Sequence, residues 1–234
     1  GGFMELEDAE FMWGFNHTTE TQLTYVSFSS HMSNDCLGYA GLDQTAKLID
    51  KSLYDQISKT DYRKSLFNGP EGDKTASADT PGAARPYASR KFGYMAQWLQ
   101  DYIYMRASEM VLIEAESYAR LGDGAKAASV LGELMAKRDI AWKAASVTVD
   151  DVLLQRRIEL WGEGHGYYDL RRNGKGIDRN YEGSNHTPAN RIKVPAHDNL
   201  WWFQLPLKEI TENDMISEDE QNPWSKEQDN DKED

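Results

Sequence analysis

The sequence lacks features that define several common protein classes. It has one cysteine, Cys36, so no disulfide can form within the chain and cysteine pairing gives no information about redox compartment. It contains no run of 18 apolar residues, which excludes a helix that crosses a bilayer. It shows no signal peptide and opens with Gly1-Gly2-Phe3 instead of Met, so we expect it to be part of a longer precursor.

Positive charge is also scarce. Lysine and arginine number 26 against 39 acidic residues, which gives a formal net charge of -13. This sign repels phosphate backbones and anionic headgroups, so we expect no nucleic-acid partner and no direct adsorption to a membrane surface. Neutral ligands such as sugars are compatible with it. The acidic excess is concentrated near the end of the chain, and we interpret 225–234 as a polar, solvated acidic tail.

Catalytic constellations are missing as well. The five histidines form no HExxH pair, and neither a GxSxG elbow nor a phosphate-binding loop occurs. Glu159 and Glu163 are at positions i and i+4 of a predicted helix, so they lie side by side and do not face each other across a cleft as glycosidase carboxylates do. We therefore predict that the chain is not an enzyme and has no catalytic residue, metal site or cofactor.

The residues that are present predict a mostly α-helical fold. Seven Trp, twelve Tyr and seven Phe supply apolar surface for a core, which argues against a disordered chain. Apolar residues recur at helical spacing in four segments, whereas Gly, Pro and Asn mark long loops. The predicted helices are 43–59, 101–121, 124–138 and 148–164, the loops 68–89 and 173–200, and a β-prone segment 24–28.

The second and third predicted helices are expected to form an antiparallel hairpin. Only the turn around Gly122 and Gly124 separates them, so they must lie beside each other. The stretch AESYARLGD at 115–123, followed by further alanines, resembles a tetratricopeptide repeat. Because one such repeat buries its apolar face only against stacked neighbours, we expect partner helices elsewhere.

Three sequence blocks occur in a fixed order along the chain. Residues 104–116 read YMRASEMVLIEAE, residues 155–172 read QRRIELWGEGHGYYDLRR, and residues 203–210 read FQLPLKEI, with QNP following at 221–223. They are similar to LRxAExxLxxAEA, ERRxELxxEGxRxxDLxR and xxPIPxxEI…QNPGY, which are blocks of the SusD/RagB family. The chain therefore resembles the C-terminal region of that family over about 40–224.

The resemblance implies a fold and a function. The fold is mostly α, with tetratricopeptide-like helical hairpins, long loops and little β structure, as in the SusD-like α–α superhelix. Residues 1–224 would be one SusD-like C-terminal domain, with the family's N-terminal half absent. The protein would be a surface-exposed outer-membrane lipoprotein of Bacteroidetes, attached only through an N-terminal lipid anchor that this chain does not include. It would capture oligosaccharides for nutrient uptake and pass them to a SusC-like TonB-dependent transporter.

The charged residues of the second block indicate a structural role by themselves. Arginine and acidic residues alternate along the predicted helix and the turn after it, and the planar guanidinium of arginine binds carboxylates in a bidentate manner. We therefore expect buried or half-buried ion pairs that fix this helix against its neighbours. The residues concerned are Arg156, Arg157, Glu159, Glu163, Asp169, Arg171 and Arg172.

Sugar binding requires flat aromatic faces for stacking, with polar side chains nearby for hydroxyl groups. Four aromatic residues in polar loop sequence meet this description, namely Trp13, Tyr39, Tyr87 and Trp98. The alternative for each is a partly buried packing role, which is the commoner one for aromatic residues. Trp161 and Trp202 lie in apolar runs, so we expect them in the core.

Two other functional interpretations remain open from the sequence. A helical scaffold of this kind could bind a protein in its groove and have no glycan site of its own. A hydrolase is the third possibility, which an assay for released reducing sugars addresses.

Overall fold

The structure is a computed structural model, and it describes residues 2–22 and 25–223. The predicted acidic tail at 225–234 lies outside these residues, as does Thr24 of the predicted extended segment. By its internal contacts the chain divides into two compact units, Gly1–His165 and Gly166–Asp234. The single SusD-like domain over 1–224 stays a prediction.

The described residues are mostly helical, which confirms the predicted fold class. The helices are α1 (Phe28–Met32), α2 (Lys51–Gln56), α3 (Pro81–Ala84), α4 (Ala107–Arg120), α5 (Gly124–Met135), α6 (Val149–Glu159), α7 (His165–Arg172) and α8 (Leu207–Glu212). Short 3-10 helices occupy Tyr62–Leu66, Ala96–Trp98, Pro188–Asn190, Asn199–Trp201 and Glu218–Glu220. The strands are β1 (Phe11–Phe15), β2 (Tyr102–Arg106), β3 (Ile177–Asp178) and β4 (Lys193–Val194), paired β1 with β2 and β3 with β4, both antiparallel. No helix among them is long and apolar enough to cross a membrane.

Helices α4 and α5 form the predicted hairpin, and α6 packs against α4. Gly122 ends α4 with a φ of +84°, a conformation that costs glycine little, and Asp123 then caps α5 by accepting a hydrogen bond from the Lys126 amide at 2.9 Å. The predicted cap of α6 is also confirmed: Thr148 and Asp151 form a reciprocal capping box. The three helices bury a common core of Leu112, Ala115, Ala127, Ala128, Val130, Leu131, Leu134, Met135 and Val152, with Val147 and Leu160 beside them.

The sequence-based prediction assigned several helix and strand boundaries wrongly. Residues 102–106 are strand β2 and not the first turns of a helix, because aromatic and β-branched side chains there pair with the unpredicted strand β1. Helix α2 occupies only Lys51–Gln56 of the predicted 43–59, and α6 ends at Glu159. The β-prone prediction fails at Phe28, which begins α1 because the Ser27 side chain caps that helix.

A buried ion network joins the elements of the first unit. Glu159, at the end of α6, accepts hydrogen bonds from Arg63 (Nη1 to Oε2, 3.0 Å), Arg106 (Nη1 to Oε1, 2.8 Å) and Arg138 (Nη2 to Oε1, 3.0 Å). The side chains of all four residues are at most 10% exposed. Arg63 follows α2, Arg106 ends β2 and Arg138 follows α5, so one carboxylate connects three separate segments to α6.

Two further carboxylates share the same arginines. Arg63 Nη2 is 2.6 Å from Asp61 Oδ2, and Arg106 Nη1 is 2.6 Å from Glu10 Oε1. The predicted buried ion pairs of the second block are thus confirmed for Glu159, but its partner arginines come from other parts of the chain. Within the predicted set, Arg157, Arg171 and Arg172 are exposed instead.

Burial alone would raise the pKa of Glu159 and lower the pKa of its neighbour Lys91. Burial by itself raises the pKa of Glu159, but the hydrogen bonds and positive charges of Arg138, Arg106 and Arg63 outweigh it and hold the pKa well below 4.5. Lys91 also lies against this network and donates to the Glu159 carbonyl at 2.8 Å. Burial lowers the pKa of Lys91 to about 8, although the Glu163 carboxylate opposes the shift.

The second unit is held together by side-chain hydrogen bonds to backbone. The indole Nε1 of Trp201 donates to the Pro195 carbonyl at 2.7 Å, and this tryptophan is buried. Gln221 bonds both backbone groups of Leu205, at 2.8 and 3.0 Å, which explains why QNP follows FQLPLKEI in the third block. Trp202 is 49% exposed, so its predicted core position is wrong: the chain buries its neighbour Trp201 instead.

We expect Glu159→Gln to lower the free energy of unfolding by about 3–5 kcal/mol, because a neutral amide leaves three buried arginines without their shared charge. Urea unfolding followed by circular dichroism measures the change. The control is Glu114→Gln, an exposed carboxylate on α4, which should change stability by less than about 0.5 kcal/mol. Equal effects of the two substitutions would contradict the role of the network.

The stabilisation by Glu159 should depend on pH. Its pKa is lower in the folded than in the unfolded chain, so its contribution is complete above about pH 4.5 and is lost as the pH falls toward the folded-state pKa. The stability difference between the natural chain and Glu159→Gln should therefore shrink progressively below about pH 4.5. Urea unfolding at several pH values tests this, and a difference that grows in acid would refute it.

Candidate functional site

The structure separates the four aromatic residues predicted to bind sugar. Trp13 lies on β1 and is 61% exposed. Tyr39, in a turn, and Trp98, at the end of the 3-10 helix Ala96–Trp98, are half-buried. Tyr87 is only 8% exposed and packs in a core cluster with Ile49, so it presents no ring face for a ligand. Its burial follows from the backbone: the Ile49 amide donates to the Tyr87 carbonyl at 2.9 Å, which draws this loop into the core.

Trp13 forms an exposed aromatic pair with Tyr104. Their ring centroids are 5.1 Å apart with an interplanar angle of 59°, and Tyr104 is 52% exposed. The pairing of β1 with β2 brings the two residues together, since the partner of Trp13 in the ladder is Met105, the neighbour of Tyr104. The sequence interpretation missed Tyr104 because it assigned this segment to a helix. The alternation Tyr-Ile-Tyr at 102–104 is a strand signal that could have identified it.

Tyr104 also lines a cleft of about 550 Å³ in the first unit. This volume is within the range of about 300–1,000 Å³ that is usual for small-ligand sites. The walls are mainly aromatic, with three side chains that can bond hydroxyl groups, Asp101, Glu163 and His165. The aromatic lining consists of Phe3, Phe28, Phe92, Tyr102 and Tyr104.

The polar groups of the cleft are held in fixed positions. Glu163 accepts two hydrogen bonds of 2.8 Å from Arg106, which joins the cleft wall to the buried ion network. Asp101 accepts hydrogen bonds from the backbone amides of Leu6 at 2.9 Å and His17 at 2.8 Å. Carboxylates that already accept several hydrogen bonds are held rigidly, so they offer fixed acceptors to the hydroxyl groups of a ligand.

Two glycines shape the turn that forms one wall. Gly162 has a φ of +79°, and a Cβ placed there would lie 2.6 Å from Cε2 of Phe92. Gly164 has a φ of +90°, but a Cβ there would meet nothing within 4 Å. The close approach at Gly162 therefore requires the absence of a side chain, whereas Gly164 is required by its backbone conformation alone.

A second group of aromatic residues comes together from separate loops. Tyr25 contacts Tyr39 at 4.6 Å and Trp98 at 6.2 Å between ring centroids, and Tyr94 contacts Trp98 at 5.2 Å. His31 stacks on Tyr39 at 4.8 Å with an interplanar angle of 15°. We call these five residues the loop aromatic cluster. It includes two of the four sequence-predicted positions, but the rings are half-buried and one face of Tyr39 is covered by His31.

Within the described part of the chain, no group of three His, Cys, Asp or Glu side chains is placed to hold a metal ion. The groups that line the cleft and can contact a ligand include aromatic rings, two carboxylates and one imidazole.

Comparison with known proteins identifies the family. The profile of the SusD family matches residues 90–224, which is more than half of the chain, so this chain belongs to the SusD family. The match includes all three blocks on which the resemblance rests. Family membership also confirms the prediction that the chain is not an enzyme. A comparison with curated protein sequences finds no match.

Solved structures show the same fold. A SusD-like carbohydrate-binding protein from Bacteroides vulgatus has a TM-score of 0.72 and 23% identity, over 93% of this chain and 50% of that one. A SusD superfamily protein from Bacteroides thetaiotaomicron has a TM-score of 0.73 and 22% identity, over 96% of this chain and 50% of that one. Surface glycan-binding protein A from Bacteroides uniformis has a TM-score of 0.54 and 22% identity, over 74% and 40%. The chain thus spans about half the length of the first two structures.

We expect Gly162→Ala to destabilise the protein more than Gly164→Ala, by about 1–3 kcal/mol, because only the first adds a clash with Phe92 to the strained φ. Thermal and urea unfolding of the two variants measure the difference. If both substitutions cost the same, the close packing of this turn against Phe92 is not what fixes the cleft wall.

Proposed function

We propose that the chain captures saccharides, with sugar rings stacked on the Trp13–Tyr104 pair and bound in the cleft that Tyr104 lines. The observation that carries this proposal is the exposure of both rings, 61% and 52%, together with the position of Tyr104 in the wall of a cleft that has fixed hydroxyl-binding groups. Contiguous exposed apolar surface is typical of interaction sites, and these two exposed rings lie in contact with each other. A flat ring face and a polar wall together match the two kinds of surface that a sugar presents, C–H groups on the faces of the ring and hydroxyl groups around its edge.

Family membership supports the same class of ligand. One similar structure is described as a SusD-like carbohydrate-binding protein and another as a surface glycan-binding protein. The net charge of -13 favours a neutral ligand at a site whose ionised groups, Asp101 and Glu163, are acidic.

The loop aromatic cluster extends the proposal. Tyr39 and Trp98 remain candidates for a second contact with a longer oligosaccharide, together with Tyr25. Several weak contacts suit a protein that must release its ligand, since the dissociation rate sets how long a ligand is held. Tyr87 is no longer a candidate, because it is buried.

The cellular setting is a proposal from the family. We infer a surface-exposed lipoprotein of the outer membrane in Bacteroidetes, which passes captured oligosaccharides to a SusC-like TonB-dependent transporter. The structural relatives from Bacteroides support this setting. The test is co-purification of the full-length protein with its transporter from outer membranes.

A protein-binding scaffold is the second candidate function. The observation in its favour is a groove of about 430 Å³ between α4 and α5, lined in part by Val111 and Leu134. Helix α4 also exposes Ile113, which is 45% accessible. Tight binding of the transporter without binding of any glycan would favour this function over saccharide capture.

We expect Trp13→Ala and Tyr104→Ala each to weaken saccharide binding about tenfold, because each removes a stacking face worth roughly 1 kcal/mol or more. Calorimetry against a panel of neutral plant and host oligosaccharides identifies the ligand and measures the change. The matched control is Met12→Ala, which alters the equally exposed neighbour of Trp13 and should leave affinity unchanged. Affinities unaffected by both aromatic substitutions would contradict the assignment of this site.

A further inference from the structure

The second unit contains a small cleft of its own. It has a volume of about 130 Å³ and lies between α7 and the segment 197–202. Its walls combine positive side chains, an imidazole and indole rings, and no acidic residue of the described part of the chain lines it. The lining residues are Arg171, Gly174, Lys175, His197, Trp201 and Trp202.

The guanidinium of Arg171 is held by aromatic rings. Its Cζ lies 4.7 Å from the centroid of the Trp202 ring and 5.8 Å from that of Tyr167, and its Nη1 donates to Tyr167 Oη at 3.3 Å. Within the described part of the chain Arg171 forms no salt bridge, whereas the next residue, Arg172, pairs with Asp169 at 2.6 Å. Most donors of the Arg171 fork therefore remain available to a ligand.

The imidazole of His197, which also lines this cleft, lies close to Gly174. A Cβ at Gly174 would lie 3.1 Å from His197 Nε2, and Gly174 has a φ of +57°. His197 itself has a φ of +62°, which is uncommon outside glycine. The backbone thus holds the ring against this side of the cleft, and Lys175 adds a second positive charge to the lining.

The size of the cleft limits what it can hold. At about 130 Å³ it is smaller than the roughly 300–1,000 Å³ of sites that enclose a whole ligand. It accommodates one compact group, while the remainder of the ligand lies outside against Trp202, which is 49% exposed. A planar guanidinium with free donors selects a carboxylate or a sulfate, because it can bond two oxygens at once.

We propose that this cleft binds an anionic substituent of a saccharide, a uronate carboxylate or a sulfate ester, on Arg171, with the attached sugar ring against Trp202. The saccharide part of the ligand rests on the proposed function, but the anion contact rests on the cleft alone. The site is distinct in composition from the Trp13–Tyr104 site, whose ionised groups are carboxylates. A chain with a net charge of -13 repels anions in general, so binding here requires a local concentration of positive charge.

Calorimetry on the whole chain tests the proposal with three trisaccharides of matched length: a neutral galactan fragment, an oligogalacturonate and a sulfated galactan fragment. We expect at least one acidic ligand to bind about tenfold more tightly than the neutral one at low salt. Arg171→Gln should abolish this preference and leave neutral binding unchanged, and Arg171→Lys should restore only part of it. Arg157→Gln, which removes an exposed arginine of α6, is the control and should have no effect. The carboxylate and sulfate arms show which anion is preferred.

Equal binding of acidic and neutral ligands, or a preference that survives Arg171→Gln, would overturn the anion site and leave the proposed function intact. If no saccharide binds at all, the proposed function fails, and the anion contact is then tested with free galacturonate and sulfate. A saturable shift of the Trp202 indole NMR signal that Arg171→Gln removes supports the anion contact, and no shift overturns it. Thermal unfolding of each variant shows that these exposed substitutions leave the fold intact.

Discussion

The buried carboxylate of Glu159 is the constraint on which the first unit depends. A charge with 4% exposure is stable only if hydrogen-bonded partners replace its water, and Arg63, Arg106 and Arg138 do so. These arginines belong to segments far apart in sequence, so the carboxylate can be satisfied only when those segments are assembled. The network thus couples the helical hairpin, the strand pair and α6, whereas a purely apolar core of the same size would specify their positions less strictly.

The same network reaches the candidate ligand site. Arg106 bonds Glu159 inside and Glu163 at the cleft, and it ends the strand that carries Tyr104. The strand that carries Tyr104 is therefore fixed by Arg106, which does not itself line the cleft. In this chain the charged residues fix the frame, and the proposed recognition residues Trp13 and Tyr104 lie on the strand pair that this frame positions.

The sequence predicted the parts of the fold that local physics determines. Neighbouring residues determine the turn at Gly122, the capping box at Thr148 and the α4–α5 hairpin. The order of the three sequence blocks was enough to indicate the family. The features that the sequence could not predict depend on contacts between residues that are far apart in the chain. Strand β2 exists because β1 pairs with it across about ninety residues, and that pairing alone brings Tyr104 to Trp13. Tyr87 and Trp202 were misjudged for the same reason, since tertiary contacts decide burial in a loop or a short apolar run.

We propose that saccharides bind to an aromatic pair beside a cleft whose position the buried ion network fixes. The structure of this chain with a bound neutral oligosaccharide tests it most directly. We expect a sugar ring in van der Waals contact, at about 4 Å, with the faces of Trp13 and Tyr104, and hydroxyl groups bonded to Glu163 or His165. A saccharide bound elsewhere, with the Trp13–Tyr104 pair and its cleft empty at saturating ligand, would contradict it.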